Sequence, residues 1–225
     1  MEYVKIPGPF ERNTEKGPDR NKLIVGRWSC REFEVLQNAP WFFTEKVDGT
    51  NIRIMWTGYE RTFGGRTDNA QLPTRLIPVL EKLFPEEILE QVFGKSPAIL
   101  YGEGYGAGIQ SGGVYRADQS FVMFDVYVPR TDAPVGWWLE RASIEDVAAK
   151  MGLDVVPRVY TGTLNEAIGI VQQGFRSKWN ADHVAEGLVG VSAPGLLNRK
   201  GERIIVKLKT KDLLGTQPIM GVPQP

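Results

Sequence analysis

Hydrophobic and polar positions alternate on both sides of the dipeptide Asp48-Gly49. Before it, positions 43, 45 and 47 share one face of a strand and Lys46 lies on the other, because neighbouring side chains of a strand point to opposite faces. After it, apolar side chains recur at every second position from Ile52 to Trp56. Since Asp-Gly is a frequent hairpin turn, the pattern predicts two paired strands with Lys46 near the mouth of the hairpin.

Turn-forming residues divide the rest of the first half of the chain. Residues 7–21 are polar and rich in Pro and Gly, which predicts an extended arm before a first strand at 23–25. A helical region is predicted over 74–93, where Pro78 and Pro85 break it into short pieces.

The strongest strand pattern in the chain covers residues 121–128, which are rich in β-branched and aromatic side chains. A shorter strand is predicted at 98–101, and the glycine-rich stretch 101–108 after it is predicted as a loop. This stretch matches neither the dinucleotide-binding spacing nor the P-loop ending, so the sequence does not indicate a phosphate loop of either kind.

Two helices are predicted in the second half, beginning at the capping boxes of Ser143 and Thr163. A final pair of strands, at 187–191 and 203–208, follows them. Together these elements predict a mixed, largely antiparallel sheet with helices packed outside it.

Composition limits the classes of protein that fit. With 225 residues and 42% hydrophobic content, the chain can bury one substantial core. Lys+Arg and Asp+Glu both count 27, so a nucleic-acid surface would have to be local. The lone Cys30 excludes an internal disulfide, and the lone His183 excludes histidine-rich zinc sites and paired-histidine phosphoesterase chemistry. No apolar run is as long as a membrane span and the start is unlike a signal peptide, so we expect a soluble cytoplasmic protein.

Lys46, between the carboxylates Glu45 and Asp48, is the main candidate for chemistry. Taken alone, a lysine with acidic neighbours is usually a surface ion pair of little energetic weight. An amine attacks phosphorus only when it is unprotonated, whereas a free lysine has a pKa near ~10.4. Lowering that pKa by about three units means destabilising the ammonium by roughly 4 kcal/mol, which desolvation and neighbouring cations can provide together.

Lys207 and Lys209 offer such cations near the end of the chain. A strand places both on one face and leaves Val206 and Leu208 on the core face. Two ammonium groups side by side indicate an anion site. The alternative is an exposed edge strand whose lysines prevent pairing with other chains.

The residues Glu-Lys-Val-Asp-Gly-Thr-Asn at 45–51 resemble the first motif of the covalent nucleotidyltransferases, which include polynucleotide ligases and capping enzymes. The later motifs of that superfamily follow in order, at Glu103, Phe124, Glu186 and Lys207-x-Lys209. The closest resemblance is to the second, phage-type family of ATP-dependent RNA ligases. That family often has histidine where this chain has Asp48.

The resemblance implies roles for particular residues. The implied catalytic residues are the nucleophile Lys46 and the lysines that grip the α-phosphate, Lys207 and Lys209. The implied nucleotide-binding residues are Glu45 at the adenine edge, Asn51 beside metal-bound water, Arg66 on a phosphate, Glu103 on the ribose, Phe124 on the purine face and Glu186 beside the metal. Glu186 is also the implied ligand of Mg²⁺, for which Mn²⁺ can substitute. Without the resemblance, three of these residues have ordinary structural explanations. Glu103 would be a turn carboxylate, Phe124 a core aromatic and Asn51 a structural turn residue.

The resemblance also implies a fold and a domain organisation. The fold would be α+β, of the adenylyltransferase type found in ligase and capping enzyme catalytic domains, with mainly antiparallel sheets and flanking helices. A single nucleotidyltransferase domain is expected over residues 1–212. A short tail rich in Pro and Gly follows at 213–225, with neither an OB domain nor a C-terminal substrate-binding domain.

The implied function is the ATP-dependent sealing of 5′-phosphate and 3′-hydroxyl ends. Lys46 would take AMP from ATP, pass it to a 5′-phosphate end, and a 3′-hydroxyl would then displace it. The expected partner is nicked or end-juxtaposed RNA or DNA, sealed by a monomer in nucleic-acid repair. Two alternatives are a GTP-dependent capping-type guanylyltransferase and a noncatalytic module that binds nucleotide or nucleic acid.

Overall fold

The computed structural model describes residues 1–130, 132–133 and 135–216. They form two compact units, of which the first comprises Met1–Val4 and Val47–Val156. The second comprises Lys5–Lys46 and the chain from Pro157 onward. Each unit has its own largely antiparallel sheet and its own helices, so the predicted α+β class is confirmed.

Strands and helices follow one another along the chain in a mixed order. The strands are β1 (Phe10–Arg12), β2 (Leu23–Trp28), β3 (Trp41–Glu45), β4 (Thr50–Trp56), β5 (Arg61–Gly65), β6 (Ala98–Gly106), β7 (Gln119–Val128), β8 (Trp137–Trp138), β9 (Asp154–Val155), β10 (Arg158–Gly162), β11 (Gly187–Ser192) and β12 (Ile205–Lys209). The helices are α1 (Arg31–Leu36), α2 (Ile77–Leu83), α3 (Glu86–Phe93), α4 (Arg141–Met151), α5 (Leu164–Gln173) and α6 (Thr210–Leu213). A short 3₁₀ turn lies at Gly112–Val114.

The sheet of the first unit has the strand order β5-β4-β6-β7-β8, and β9 pairs in parallel with β7. Alternation along β4 puts Ile52, Ile54 and Trp56 on the buried face, as the sequence predicts. Helices α2, α3 and α4 pack residues into the same hydrophobic cluster. One face of this sheet is therefore a core face.

Close packing explains the glycines of β6. A Cβ on Gly102 would lie 2.1 Å from Cζ of Phe121, and one on Gly104 would lie 2.4 Å from Cδ2 of Leu76. Both glycines thus give room on the core face for larger side chains from neighbouring elements. The predicted loop at 101–108 is therefore wrong up to Gly106, where the strand ends.

The sheet of the second unit has the strand order β10-β3-β11-β12. Its core face contributes Trp41, Phe43, Leu188 and Leu208 to a cluster that α5 also enters. Strands β1 and β2 form a separate antiparallel pair. The backbone N–H of Lys207 donates to the carbonyl of Pro7 at 3.0 Å, so the chain before β1 contacts β12.

The predicted hairpin around Asp48-Gly49 is wrong, because β3 and β4 belong to different sheets. β3 pairs with β10 on one side and β11 on the other, while β4 pairs with β5 and β6. Gly49 also lacks the positive φ that a type I′ turn requires. β3 has a partner strand on each edge, and so does β4, whose partner β5 is the next strand along the chain. No edge therefore remains for pairing β3 with β4.

Two further local predictions need correction. The predicted arm at 7–21 is not extended throughout, because it contains strand β1. Phe10 of this strand is buried in the hydrophobic cluster of the second unit. Helix α4 begins at Arg141 with Glu140 as its N-cap, so Ser143 lies inside the first turn and is not a capping residue. The capping box of Thr163 and Glu166 is confirmed, with the side chain and backbone bonds both present.

The prediction of one domain over residues 1–212 stays a prediction. The predicted tail at 213–225 lies outside the described residues from position 217 onward. Within the described part of the chain, no helix is both long enough and apolar enough to cross a membrane.

Candidate active site

Two lysines share one carboxylate in the second unit. Nζ of Lys46 lies 2.6 Å from Oε2 of Glu186, and Nζ of Lys209 lies 3.0 Å from Oε1 of the same residue. The three side chains are 21%, 16% and 22% exposed, in the order Lys46, Glu186 and Lys209. The structure thus brings together three of the predicted residues in a half-buried cluster.

Lys207 lies two positions before Lys209 on β12, and its pKa is lowered. The largest cause is burial, and the nearby cations Lys209, Lys46, Lys5 and Arg12 add to it. Both effects favour the neutral amine. A bound anion would act in the opposite direction, because a negative charge favours the ammonium form.

The β11–β12 register explains why these side chains meet. Val189 is the pairing partner of Lys207, and Gly187 is the partner of Lys209. A Cβ on Gly187 would lie 1.9 Å from the carbonyl oxygen of Leu208, so only glycine fits directly after Glu186. The backbone N–H of Lys46 also donates to the carbonyl of Gly187 at 2.9 Å.

Glu45 is a buried carboxylate with an unsatisfied oxygen. Its residue exposure is 1%, and its Oε2 accepts a hydrogen bond of 2.7 Å from the backbone N–H of Lys178. Its Oε1 is buried and has no hydrogen-bond partner among the described residues. A buried acceptor without a donor is costly, so this oxygen suits a ligand that brings an N–H group.

Four predicted residues lie in the first unit. Asn51 and Glu103 are direct partners across β4 and β6, on the face of the sheet opposite the core. Oδ1 of Asn51 is buried without a hydrogen-bond partner in the described structure. Asn51 therefore has the same kind of unsatisfied acceptor that Glu45 has in the other unit.

Phe124 occupies a β-bulge. The register between β6 and β7 shifts here, because Tyr101 pairs with Asp125 while Gly102 pairs with Met123. Phe124 is the extra residue between those two pairs, and it is only half-buried, whereas Phe121 is buried in the core. Bulges redirect side chains, and this one separates Phe124 from the regular core positions of its strand.

Arg66 directly follows β5 and is exposed. Its backbone carbonyl accepts a hydrogen bond of 3.2 Å from the backbone N–H of Tyr3. The guanidinium of Arg66 is therefore carried on a segment whose backbone is held in place.

Sequence reasoning missed two contacts that shape the first unit. Arg53 is only 1% exposed, and its Nη2 donates to Oδ1 of Asp68 at 2.8 Å. Asp48 accepts a hydrogen bond of 3.2 Å at Oδ2 from the backbone N–H of Ser111, next to the 3₁₀ turn. The arginine among the apolar residues of β4 was a visible signal, whereas nothing local indicates the partner of Asp48.

A divalent cation is consistent with the donors present. Mg²⁺ prefers oxygen ligands, keeps several waters and usually binds one or two carboxylates together with phosphates. Glu186 supplies such a carboxylate in the second unit. Among the described residues, no group of three or more His, Cys, Asp or Glu forms a site that could hold a metal by itself. A cation at Glu186 would therefore depend on further oxygens from waters and phosphates.

Comparison with known proteins identifies the family. A family model described as RNA ligase matches residues 39–209. No curated protein matches the chain. Among solved structures, a variant of Naegleria gruberi RNA ligase with ATP and Mn aligns with a TM-score of 0.64 and 17% identity, covering 94% of this chain and 63% of that one. The same ligase with PPi aligns with a TM-score of 0.63 and 18% identity, covering 80% of this chain and 52% of that one.

The chain spans about half the length of the first solved ligase structures that it matches. At this level of identity, the structural similarity shows the fold alone. It confirms the predicted fold, which is that of RNA ligase structures. The family match extends over most of the chain, from before Glu45 to Lys209. This chain belongs to the RNA ligase family.

Proposed function

We propose that this chain is an ATP-dependent RNA ligase that carries AMP on Lys46. The observation on which the proposal rests is the contact of Lys46 with Glu186, which Lys209 shares, in a chain of the RNA ligase family. The solved Naegleria ligases include complexes with ATP, AMP and Mn, which supports the choice of nucleotide and metal.

Lys46 is the proposed nucleophile. It must lose a proton before its Nζ can attack the α-phosphorus of ATP and expel pyrophosphate. The carboxylate of Glu186 accepts a hydrogen bond of 2.6 Å from that Nζ and orients the amine, while the proton is released to solvent. The phosphorus–nitrogen bond forms as the bond to pyrophosphate breaks, and the AMP stays on the protein.

Lys207 and Lys209 are proposed to bind the α-phosphate. They lie on the same face of β12, and the pKa of Lys207 is lowered by burial and by other cations. An anion would offset that unfavourable crowding of positive charge. The two lysines would also stabilise the negative charge that grows on phosphate oxygens in the transition state.

Glu45 is proposed to select adenine. An ionised carboxylate only accepts hydrogen bonds, and its buried Oε1 has no donor among the described residues. The exocyclic amino group of adenine donates, whereas guanine presents a carbonyl oxygen at the equivalent position. The unsatisfied oxygen therefore favours ATP over GTP and argues against the capping-type alternative.

The first unit carries further residues that are proposed to bind nucleotide. Arg66 would contact phosphate, Glu103 the ribose and Phe124 the purine face, and Asn51 would orient metal-bound water. Mg²⁺ or Mn²⁺ would be held at Glu186 and would supply charge stabilisation for the reacting phosphates. The phage-type subfamily, the single domain over 1–212 and the monomer also belong to this proposal.

Polynucleotide ends are the proposed substrates of the later steps. AMP would pass from Lys46 to a 5′-phosphate, and a 3′-hydroxyl would displace it to form the phosphodiester. We propose nicked RNA as the main substrate, with DNA and hybrid nicks as further substrates in nucleic-acid repair. Weak binding through few phosphate contacts is expected, so sealing below saturation should slow as salt is raised.

Nucleotide transfer can be tested with purified protein and ATP or GTP labelled at the α-phosphate. A ligase gives an acid-labile AMP adduct that is absent in Lys46→Ala and retained in Lys22→Ala, an exposed lysine of the same unit. A GMP adduct would show a capping-type enzyme, and no adduct with either nucleotide would leave only a binding module. Nicked duplexes of RNA, DNA and mixed strands then define which ends are sealed.

A further inference from the structure

Residues Met1–Val4 belong to the first unit although they are separated from the rest of it in sequence. The backbone N–H of Tyr3 donates to the carbonyl of Arg66 at 3.2 Å. Oε1 of Glu2 accepts a hydrogen bond of 2.8 Å from the backbone N–H of Asp68. These two bonds hold the backbone at Arg66 and two residues beyond it.

Arg53 holds the same segment from the sheet. Its Nε donates to the carbonyl of Gly65, and its Nη2 lies 2.8 Å from Oδ1 of Asp68. The side chain of Arg53 is 1% exposed, which gives it a fixed position in β4. Arg66 therefore lies between Gly65 and Asp68, which are both hydrogen-bonded to the side chain of Arg53.

Tyr3 also contacts Phe124. Its ring lies 5.1 Å from the ring of Phe124 at an interplanar angle of 65°, which is an edge-to-face contact. It further packs against Tyr101 at 4.9 Å and Trp138 at 5.9 Å, and its hydroxyl donates to Oδ2 of Asp125. One residue therefore contacts both the proposed phosphate-binding Arg66 and the proposed purine-stacking Phe124.

We propose that Met1–Val4 form a strap that positions Arg66 and Phe124 for the nucleotide, with Glu2 and Tyr3 as positioning residues. The inference rests on the proposed function, because it takes those two residues as nucleotide contacts. Binding a phosphate orders both the long side chain of Arg66 and the backbone that carries it. Because the strap already fixes the backbone, only the side chain loses entropy on binding. The edge contact with Tyr3 limits the tilt of the Phe124 ring in the same way.

Glu2 gives the sharpest test because its side chain is exposed and its loss leaves no cavity in the core. Adenylation of Lys46 is measured against ATP concentration in wild type, Glu2→Ala, Glu2→Gln, Arg66→Ala and the double variant Glu2→Ala/Arg66→Ala. Glu60→Ala, an exposed glutamate of the same unit, is the control. We expect Glu2→Ala to lower kcat/KM about 5- to 10-fold, mainly through KM, since one charge-assisted hydrogen bond is lost.

The pattern across variants separates positioning from general stability. Glu2→Gln keeps an acceptor oxygen and should recover most of the activity. In the Arg66→Ala background, Glu2→Ala should have almost no further effect, because Glu2 acts through Arg66. Additive effects of the two substitutions, or a loss in Glu2→Ala equal to that in Glu60→Ala, would overturn the proposal.

Hydrogen exchange gives a readout that does not need activity. The backbone amide of Asp68 should exchange several-fold faster in Glu2→Ala than in wild type, and at the wild-type rate in Glu60→Ala. Unchanged exchange at Asp68 would overturn the strap even if adenylation fell. Wild-type protein that forms no adenylate would overturn the proposed function, while exchange at Asp68 would still show whether the strap holds the Arg66 segment.

Discussion

Replacing Glu186 by glutamine should destabilise the second unit, because it leaves Lys46 and Lys209 without their shared counterion. The contacts are 2.6 and 3.0 Å long, and the side chains are only 16–22% exposed. Glutamine keeps the shape of the side chain and one acceptor oxygen. The substitution therefore removes charge with little change in packing.

The burial of the pairs sets the expected size of the loss. Exposed ion pairs contribute about 0–1 kcal/mol, whereas removing one partner of a fully buried pair costs about 3–5 kcal/mol. Glu186 lies between these limits, so we expect a loss of about 2–3 kcal/mol in the free energy of unfolding. For a chain of this length, that loss corresponds to a fall in Tm of roughly 4–12 °C.

Urea unfolding at neutral pH measures the loss, and Glu11→Gln is the matched control. Glu11 lies in the same unit and pairs with Arg27 at 2.7 Å, but those side chains are 42% and 64% exposed. We expect the control to lose less than about 1 kcal/mol. Equal losses in the two variants would refute the argument from burial. In a Lys209→Met background, the cost of Glu186→Gln should also shrink, because one of the two unpaired cations is gone.

Three further changes test other parts of the structure. Burial and neighbouring cations lower the pKa of Lys207 below 10.5, its ordinary value in the unfolded chain. Between the lowered pKa and 10.5, the folded protein therefore binds fewer protons than the unfolded chain. The free energy of unfolding should rise with pH in this window. Lys207→Met should remove that rise in urea unfolding between neutral pH and pH about 10. Gly102→Ala should cost about 1–3 kcal/mol in the same assay, because its Cβ would meet the ring of Phe121. Thr163→Ala should lower the unfolding free energy by about 1 kcal/mol, because the capping box with Glu166 is lost.

Controls for these changes lie in the same chain. Gly169→Ala in α5 meets nothing within 4 Å and should stabilise by about 0.5–1 kcal/mol, in contrast to Gly102→Ala. Thr163→Ser keeps the hydroxyl and should retain most of the cap. Parallel pH curves for wild type and Lys207→Met would contradict the assigned pKa shift. A tolerated Gly102→Ala would mean that β6 and β7 can separate where they pair.

Local patterns predicted those features that depend on neighbouring residues alone. The alternation of apolar positions in β4 correctly placed Ile52 and Ile54 on the core face. It also placed Val206 and Leu208 inward and Lys207 on the other face of β12. The cap at Thr163 was predictable for the same reason, because its bonds join residues three positions apart.

Predictions that required a choice of distant partner did less well. The Asp48-Gly49 dipeptide indicated a hairpin, but the distant strands β10 and β11 take both edges of β3, while β5 and β6 take those of β4. The glycines of β6 suggested a loop, whereas their lack of a side chain lets Phe121 and other residues pack against the strand. Local propensity is a weak signal where packing between distant segments decides the outcome.

The amino-acid sequence alone sets the chemistry that is available to this protein, since side-chain types and their order are covalent facts. It supplies a lysine flanked by carboxylates, a pair of lysines on one strand face and the ordered motifs of a ligase family. Tertiary packing alone buries an oxygen of Glu45 with no donor among the described residues. It also makes Lys46 and Lys209 share Glu186 and brings Tyr3 into contact with the segment of Arg66. These contacts join residues far apart in the chain, and their geometry depends on strand register and packing, which no short stretch of sequence contains.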